Sequence, residues 1–224
     1  MKRLHILIVL FFLLFDPNNL FGQKHTGKNR LFFSSGAGAV YSFFEYGDPN
    51  FPMLYGEYTV DKKTVGRFFD FEIGYQLNLL TSLSLRLSDH KFSKSFNVKE
   101  TIRNSNYDYT LIGKLYRNQF YWQLLLNKTL LSKHNYSFGA SSGVLIINDS
   151  QQFSAQAPGI QAFSNAIASF HEYPSLEFGV PVSLFYERQI KDNVSFGIKA
   201  QAYILISVGS FESISLNPYI RVSL

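Results

Sequence analysis

At 224 residues, with hydrophobic residues at 46% and charged residues at 17%, the chain is long enough for one domain or one small barrel. Net charge is +5, with Lys and Arg spread along the chain and no dense run, which excludes the dense basic footprint of a nucleic-acid binder. The absence of cysteine excludes a disulfide framework, a Cys-based metal site and a thiol nucleophile.

The chain opens with Lys2 and Arg3, runs apolar from Ile6 to Phe15, and then turns polar and helix-breaking before Gly22. This is the pattern of a secretory signal peptide over residues 1–22, leaving 23–224 as one mature domain. The apolar run is about half the length a helix needs to cross the hydrocarbon of a membrane.

Beyond the leader, apolar and polar residues alternate with period two, which places successive side chains on opposite faces of a sheet. A first strand is expected from Leu31 to Phe44 and a second from Phe68 to Asn78, where Phe69, Phe71, Ile73 and Tyr75 oppose Asp70, Glu72 and Gln76. The third, Ser82 to Ser88, is the cleanest, with Leu83, Leu85 and Leu87 opposing Ser84, Arg86 and Ser88. The fourth spans about Tyr107 to Asn127; its apolar parity changes from odd to even, so a β-bulge is expected near Leu115 and Tyr116. Strands from Tyr136 to Ile147, Leu176 to Arg188, Val194 to Gly209 and Ile214 to Leu224 complete a set of eight.

Connections alternate in length. Short turns are expected at Asn78 to Thr81, Ser132 to Asn135 and Gln189 to Asn193. Long loops are expected at Tyr46 to Val65, Phe92 to Asn106 and Asn148 to Ser175. Within the last loop, Ile160, Phe163, Ile167 and Phe170 recur at three- and four-residue steps, the spacing of a short amphipathic helix between Gly159 and His171. Such a helix would cap the mouth of a barrel or present loop contacts to a partner.

Alternation alone does not say which face is outside. The polar set is rich in Gly, Ser, Gln and Tyr with isolated charges, whereas a wall facing water carries dense Lys and Glu. Aromatic residues cluster near the expected strand ends at Tyr41, Phe43, Phe44 and Tyr46, at Phe68 and Phe69, and at Tyr116, Phe120 and Trp122. Both features place the apolar set against lipid, with an interfacial aromatic girdle. The inward set then carries Asp70, Glu72, Glu177 and Glu187 against Arg86, Arg117, Lys199 and Arg221, a polar core in which Glu72 falls opposite or diagonal to Arg86.

A signal peptide, eight alternating strands, alternating loop lengths and the terminal strand SISLNPYIRVSL together resemble the small bacterial outer-membrane β-barrel domain proteins. The resemblance covers nearly all of 23–224 as a pattern; it departs at Leu224, where an aromatic residue is commoner. It implies an all-β fold, an eight-stranded antiparallel up-and-down transmembrane β-barrel, exported to the outer membrane. It also implies outer-membrane lipid as surroundings, barrel-assembly machinery during insertion, and a loop-bound extracellular or envelope protein partner.

The expected role is a non-enzymatic binding or structural barrel with a plugged polar lumen, without cofactor or metal. Three alternatives stand beside it: a lipid-modifying enzyme, a narrow solute channel and a soluble periplasmic lipid-binding barrel. For the enzyme, His90 with Ser88 on the same strand face and Asp70 opposite is the candidate relay. His5, His25, His134 and His171 show no metal-ligand spacing.

Overall fold

The computed structural model describes residues 31–43, 56–60, 65–101, 108–133, 135–156, 168–171, 175–206 and 209–224. The leader lies outside the described residues. The alternating segments form eight long strands: β1 (Leu31–Ser42), β3 (Val65–Gln76), β4 (Thr81–Thr101), β5 (Asp108–Lys133), β6 (Tyr136–Gln156), β8 (Ser175–Lys191), β9 (Val194–Leu205) and β10 (Ser210–Ser223). Two short strands, β2 (Gly56–Val60) and β7 (Ala168–His171), pair with β4 and β6.

Each long strand pairs antiparallel with its two neighbours, and β1 closes on β10, so these eight form a barrel without a free edge. One row of paired residues runs from Thr81 through Lys128, Ala140, Leu184, Ala200, Leu216, Ala39 and Arg67. It returns to β4 at Lys91, ten residues beyond Thr81. Eight strands staggered by ten residues tilt by roughly 40° and enclose a backbone radius of about 8 Å, at ordinary strand spacing. That bore is narrow enough for side chains to fill.

At one end the connections are tight. Leu77 and Asn78 donate to the Thr81 carbonyl at 2.9 and 3.2 Å, and Asp192 and Asn193 turn β8 into β9. Gly209, with φ of 62°, takes the left-handed conformation between β9 and β10 at the other end, so β9 stops at Leu205 rather than reaching Gly209.

The polarity is inside out. Leu83 and Leu85 are each 42% exposed on the outer face, while Arg86, the next residue along the strand, is 0% exposed. Among the expected girdle residues, Tyr41, Phe43, Phe69, Tyr116 and Trp122 are exposed on the outside, and Tyr41 and Phe43 meet edge to face at 5.3 Å. Phe68 departs from the expectation: it is buried inside, because neighbours in a strand cannot share a face. Phe44 and Tyr46 lie outside the described residues.

The expected long loops are partly strand. The segment Phe92 to Asn106 is mostly the continuation of β4, which pairs with β5 up to Thr101↔Asp108; β2 and β7 are extended pieces of the other two. The bulge expected at Leu115 and Tyr116 is absent, since β5 pairs with β4 without a shift from Asp108 to Lys128. The parity change coincides instead with a change in the outer face, from apolar to polar, at the row Asp89–Phe120–Asn148. On the turn side of that row the outer residues are Leu87, Trp122 and Ile146; on the loop side they are Lys91, Asn118 and Ser150. The β5 irregularity sits instead between Thr129 and Leu131.

Candidate functional site

From the turn end upward the lumen has three storeys. The lowest is polar. Lys199 donates to Glu72 at 2.7 Å, Ser84 donates to the same carboxylate at 2.6 Å, and Asn127 donates to Ser84 at 2.9 Å. Arg86 donates to Asp70 and to Gln201; Gln201 passes the chain to Gln123 at 2.5 Å, and Asn217 donates to Asp70 at 2.5 Å. Nearer the turns, Arg221 and Tyr219 both donate to Glu187, at 3.2 and 3.1 Å, and the Arg221 guanidinium lies 3.6 Å above the Phe32 ring. A cavity of about 30 Å³ beside Glu72, Ser82, Lys199 and Arg221 has room for one or two waters.

Glycines shape this storey. Gly74 faces Phe32 across the strands and Gly197 faces Tyr219, and each aromatic ring occupies the place where a Cβ would stand.

The middle storey is apolar. His90, 0% exposed, is stacked between Tyr121 at 4.0 Å and Phe68 at 4.9 Å, with Tyr203 edge-on at 5.5 Å. Leu145, Ile147 and Leu205 join the two tyrosines in one buried cluster. Neither ring nitrogen of His90 has a hydrogen-bond partner, Asp70 is engaged by Arg86 and Asn217, and Ser88 accepts from Gln123. His90, Ser88 and Asp70 therefore do not form a relay.

The upper storey is a clamp on Arg117. Its Nε donates to both oxygens of Asp149 at 2.7 and 2.6 Å, and its Nη1 donates to Glu212 at 3.1 Å. Gln119 donates to the same Glu212 oxygen at 3.1 Å and accepts from Tyr121 at 2.9 Å, tying the clamp to the aromatic storey.

Among the expected lumen residues, Asp70, Glu72, Arg86, Arg117 and Lys199 are buried, Glu187 and Arg221 are half-buried at the turn end, and Glu177 is half-buried at the loop end of β8. Glu72 does face Arg86 in the ladder, yet its ion pair goes to Lys199, because so narrow a bore lets β9 reach across to β3. Arg86 takes the diagonal Asp70 instead. Ile160, Phe163 and Ile167 lie outside the described residues. Phe170 lies in β7, so the expected helix does not extend over Ala168–His171, where pairing with β6 makes the backbone extended.

Sequence reasoning missed Asp149 and Glu212. Asp149 continues the inward odd parity of Leu145 and Ile147 and was legible in that sense. Glu212 was not: it sits at the register shift between Phe211 and Ser213, which lets two successive residues, Glu212 and Ser213, both be buried. Among the described residues no group of three or more metal-ligand side chains comes together. No helix among them is long and apolar enough to cross a membrane, which says nothing of strands.

No protein-family model matches the chain, and no curated protein matches it. Among solved structures, it is similar to the attachment invasion locus protein Ail of Yersinia pestis at 10% identity, over 88% of this chain and 100% of that one, with a TM-score of 0.46. Neisserial surface protein A matches at 10% identity over 87% and 97%, TM-score 0.42. The outer membrane protease OmpT of Escherichia coli matches at 9% identity over 90% and 98%, TM-score 0.36. The closed eight-stranded antiparallel barrel is read from the chain's own ladder.

Proposed function

We propose that this closed barrel is an integral protein of the bacterial outer membrane, exported by its leader, with a plugged lumen and no catalytic role. In this reading its loops carry a binding or structural function toward an extracellular or envelope protein, and assembly machinery inserts it. One observation carries the membrane part: Leu83 and Leu85 are exposed while Arg86 is fully buried, an arrangement that favours a hydrocarbon exterior. Closure supports it, since a wall without edges satisfies its backbone in lipid. The non-enzymatic part is supported by the stacked, unpartnered His90 and by the commitment of Asp70 to Arg86.

The test is cell fractionation followed by gel electrophoresis of unboiled and boiled samples. The expected outcome is recovery with the outer membrane and a folded band that shifts on boiling. Recovery without detergent in the soluble periplasmic fraction would overturn the reading.

A further inference from the structure

The outer face between β3 and β8 is not uniformly convex. Two rows of paired residues cross it: Tyr41, Ile214, Ala202 and Val182, and beside them Ala39, Leu216, Ala200 and Leu184. Alanines at 39, 200 and 202 leave a depression between the larger neighbours, an apolar groove of about 600 Å³. From β3 to β8 it spans four interstrand steps, roughly 19 Å, and with strands tilted by roughly 40° it descends roughly 12 Å along the barrel axis, within the 15 Å or so that one leaflet's chains occupy.

The upper end of that groove meets charge. Ala39 is paired with Arg67, and Arg67 with Lys91, so two exposed cations stand directly opposite each other on the outer face. Like charges so placed repel. Asp89 offsets Lys91 at 3.1 Å, but Arg67 is paired with no acid among the described residues. The row through both cations adjoins Asp89–Phe120–Asn148, where the outer face turns from apolar to polar. Because the strands tilt, the groove sinks from that level toward Ala200.

We propose that this face holds one lipid with an anionic phosphorylated headgroup, the phosphate between Arg67 and Lys91 and an acyl chain laid over Ala39 and Ala200. Phosphate supplies the missing counter-charge, and the chain fills the depression. The inference rests on the membrane reading above and narrows the surrounding lipid to one site.

The test uses purified barrel in detergent, with phosphatidylglycerol or phosphatidylcholine of equal chain length added, and native mass spectrometry to count retained lipid. The unaltered protein keeps one phosphatidylglycerol under conditions that strip phosphatidylcholine. The double variant Arg67→Gln, Lys91→Gln lowers that retention roughly tenfold, and Ala200→Phe, which fills the groove, lowers it by a similar factor. If Ala200→Phe does not fold, Leu184→Ala with Leu216→Ala removes the groove walls and is expected to have the same effect. Equal retention of both lipids, or loss through the cations alone with the groove variants unchanged, overturns the site. An unboiled band that does not shift on heating would instead count against the membrane reading, so the two failures are distinguishable.

Discussion

Asp70 and Asp89 lie on neighbouring strands, one inside the wall and one outside, and each faces a cation. Asp70 and Arg86 are both fully enclosed, whereas Asp89 and Lys91 are about half exposed. Removing a partner from an enclosed pair strands the other charge, whereas a half-solvated pair loses little. Asp70→Ala is therefore expected to cost about 3–5 kcal/mol and Asp89→Ala under about 1 kcal/mol, measured by urea unfolding of the vesicle-inserted protein. At this scale parity was a good guide: alternate positions pointed to Asp70, Glu72, Arg86 and Lys199 as interior residues. Parity could not say which acid meets which base, because contacts across a bore depend on strand stagger. Parity put His90 on the inner face beside Ser88 but not in an aromatic stack, because its ring partners come from β3, β5 and β9.

The β4–β5 hairpin shows how an element can be extended yet locally misread. Its ladder runs unbroken from Thr81↔Lys128 to Thr101↔Asp108, beyond the loop-end limits of β3 and β1. The sequence showed the change of apolar parity but not its reason, because a bulge and a switch of the outer face from apolar to polar leave the same trace in a pattern of side chains. Replacing residues 95–114 with an Asn-Gly turn removes the part above Lys94↔Leu115, including the stretch of β4 that pairs with β2. The shortened protein is expected to keep its heat-dependent gel shift and refold in vesicles with unchanged yield. Loss of the folded band would show that the upper hairpin is needed to hold the wall.

For the molecule as a whole, closure and filling act together. A radius of about 8 Å leaves little room once Arg86, Tyr121 and Tyr203 are packed inside, so a continuous aqueous path is not expected. Planar-bilayer recordings should show no discrete conductance steps, whereas Tyr121→Ala with Tyr203→Ala, which empties the middle storey, should introduce brief openings. The eight-stranded architecture was legible because each strand repeats the same alternation. The stagger of ten residues was not, since no single strand records it.

The seam has a kinetic consequence. Leu224 donates its backbone N–H to Leu31 at 2.8 Å, joining segments separated by nearly the whole described chain. Every other neighbour in the wall is brought close by a shorter connection, so the loop-closure entropy of this contact is the largest. The last and first strands therefore zip together late, and until they do the sheet exposes two borders of unpaired backbone groups. Folding is thus a race between self-capture and capture by another chain, decided at β1 and β10.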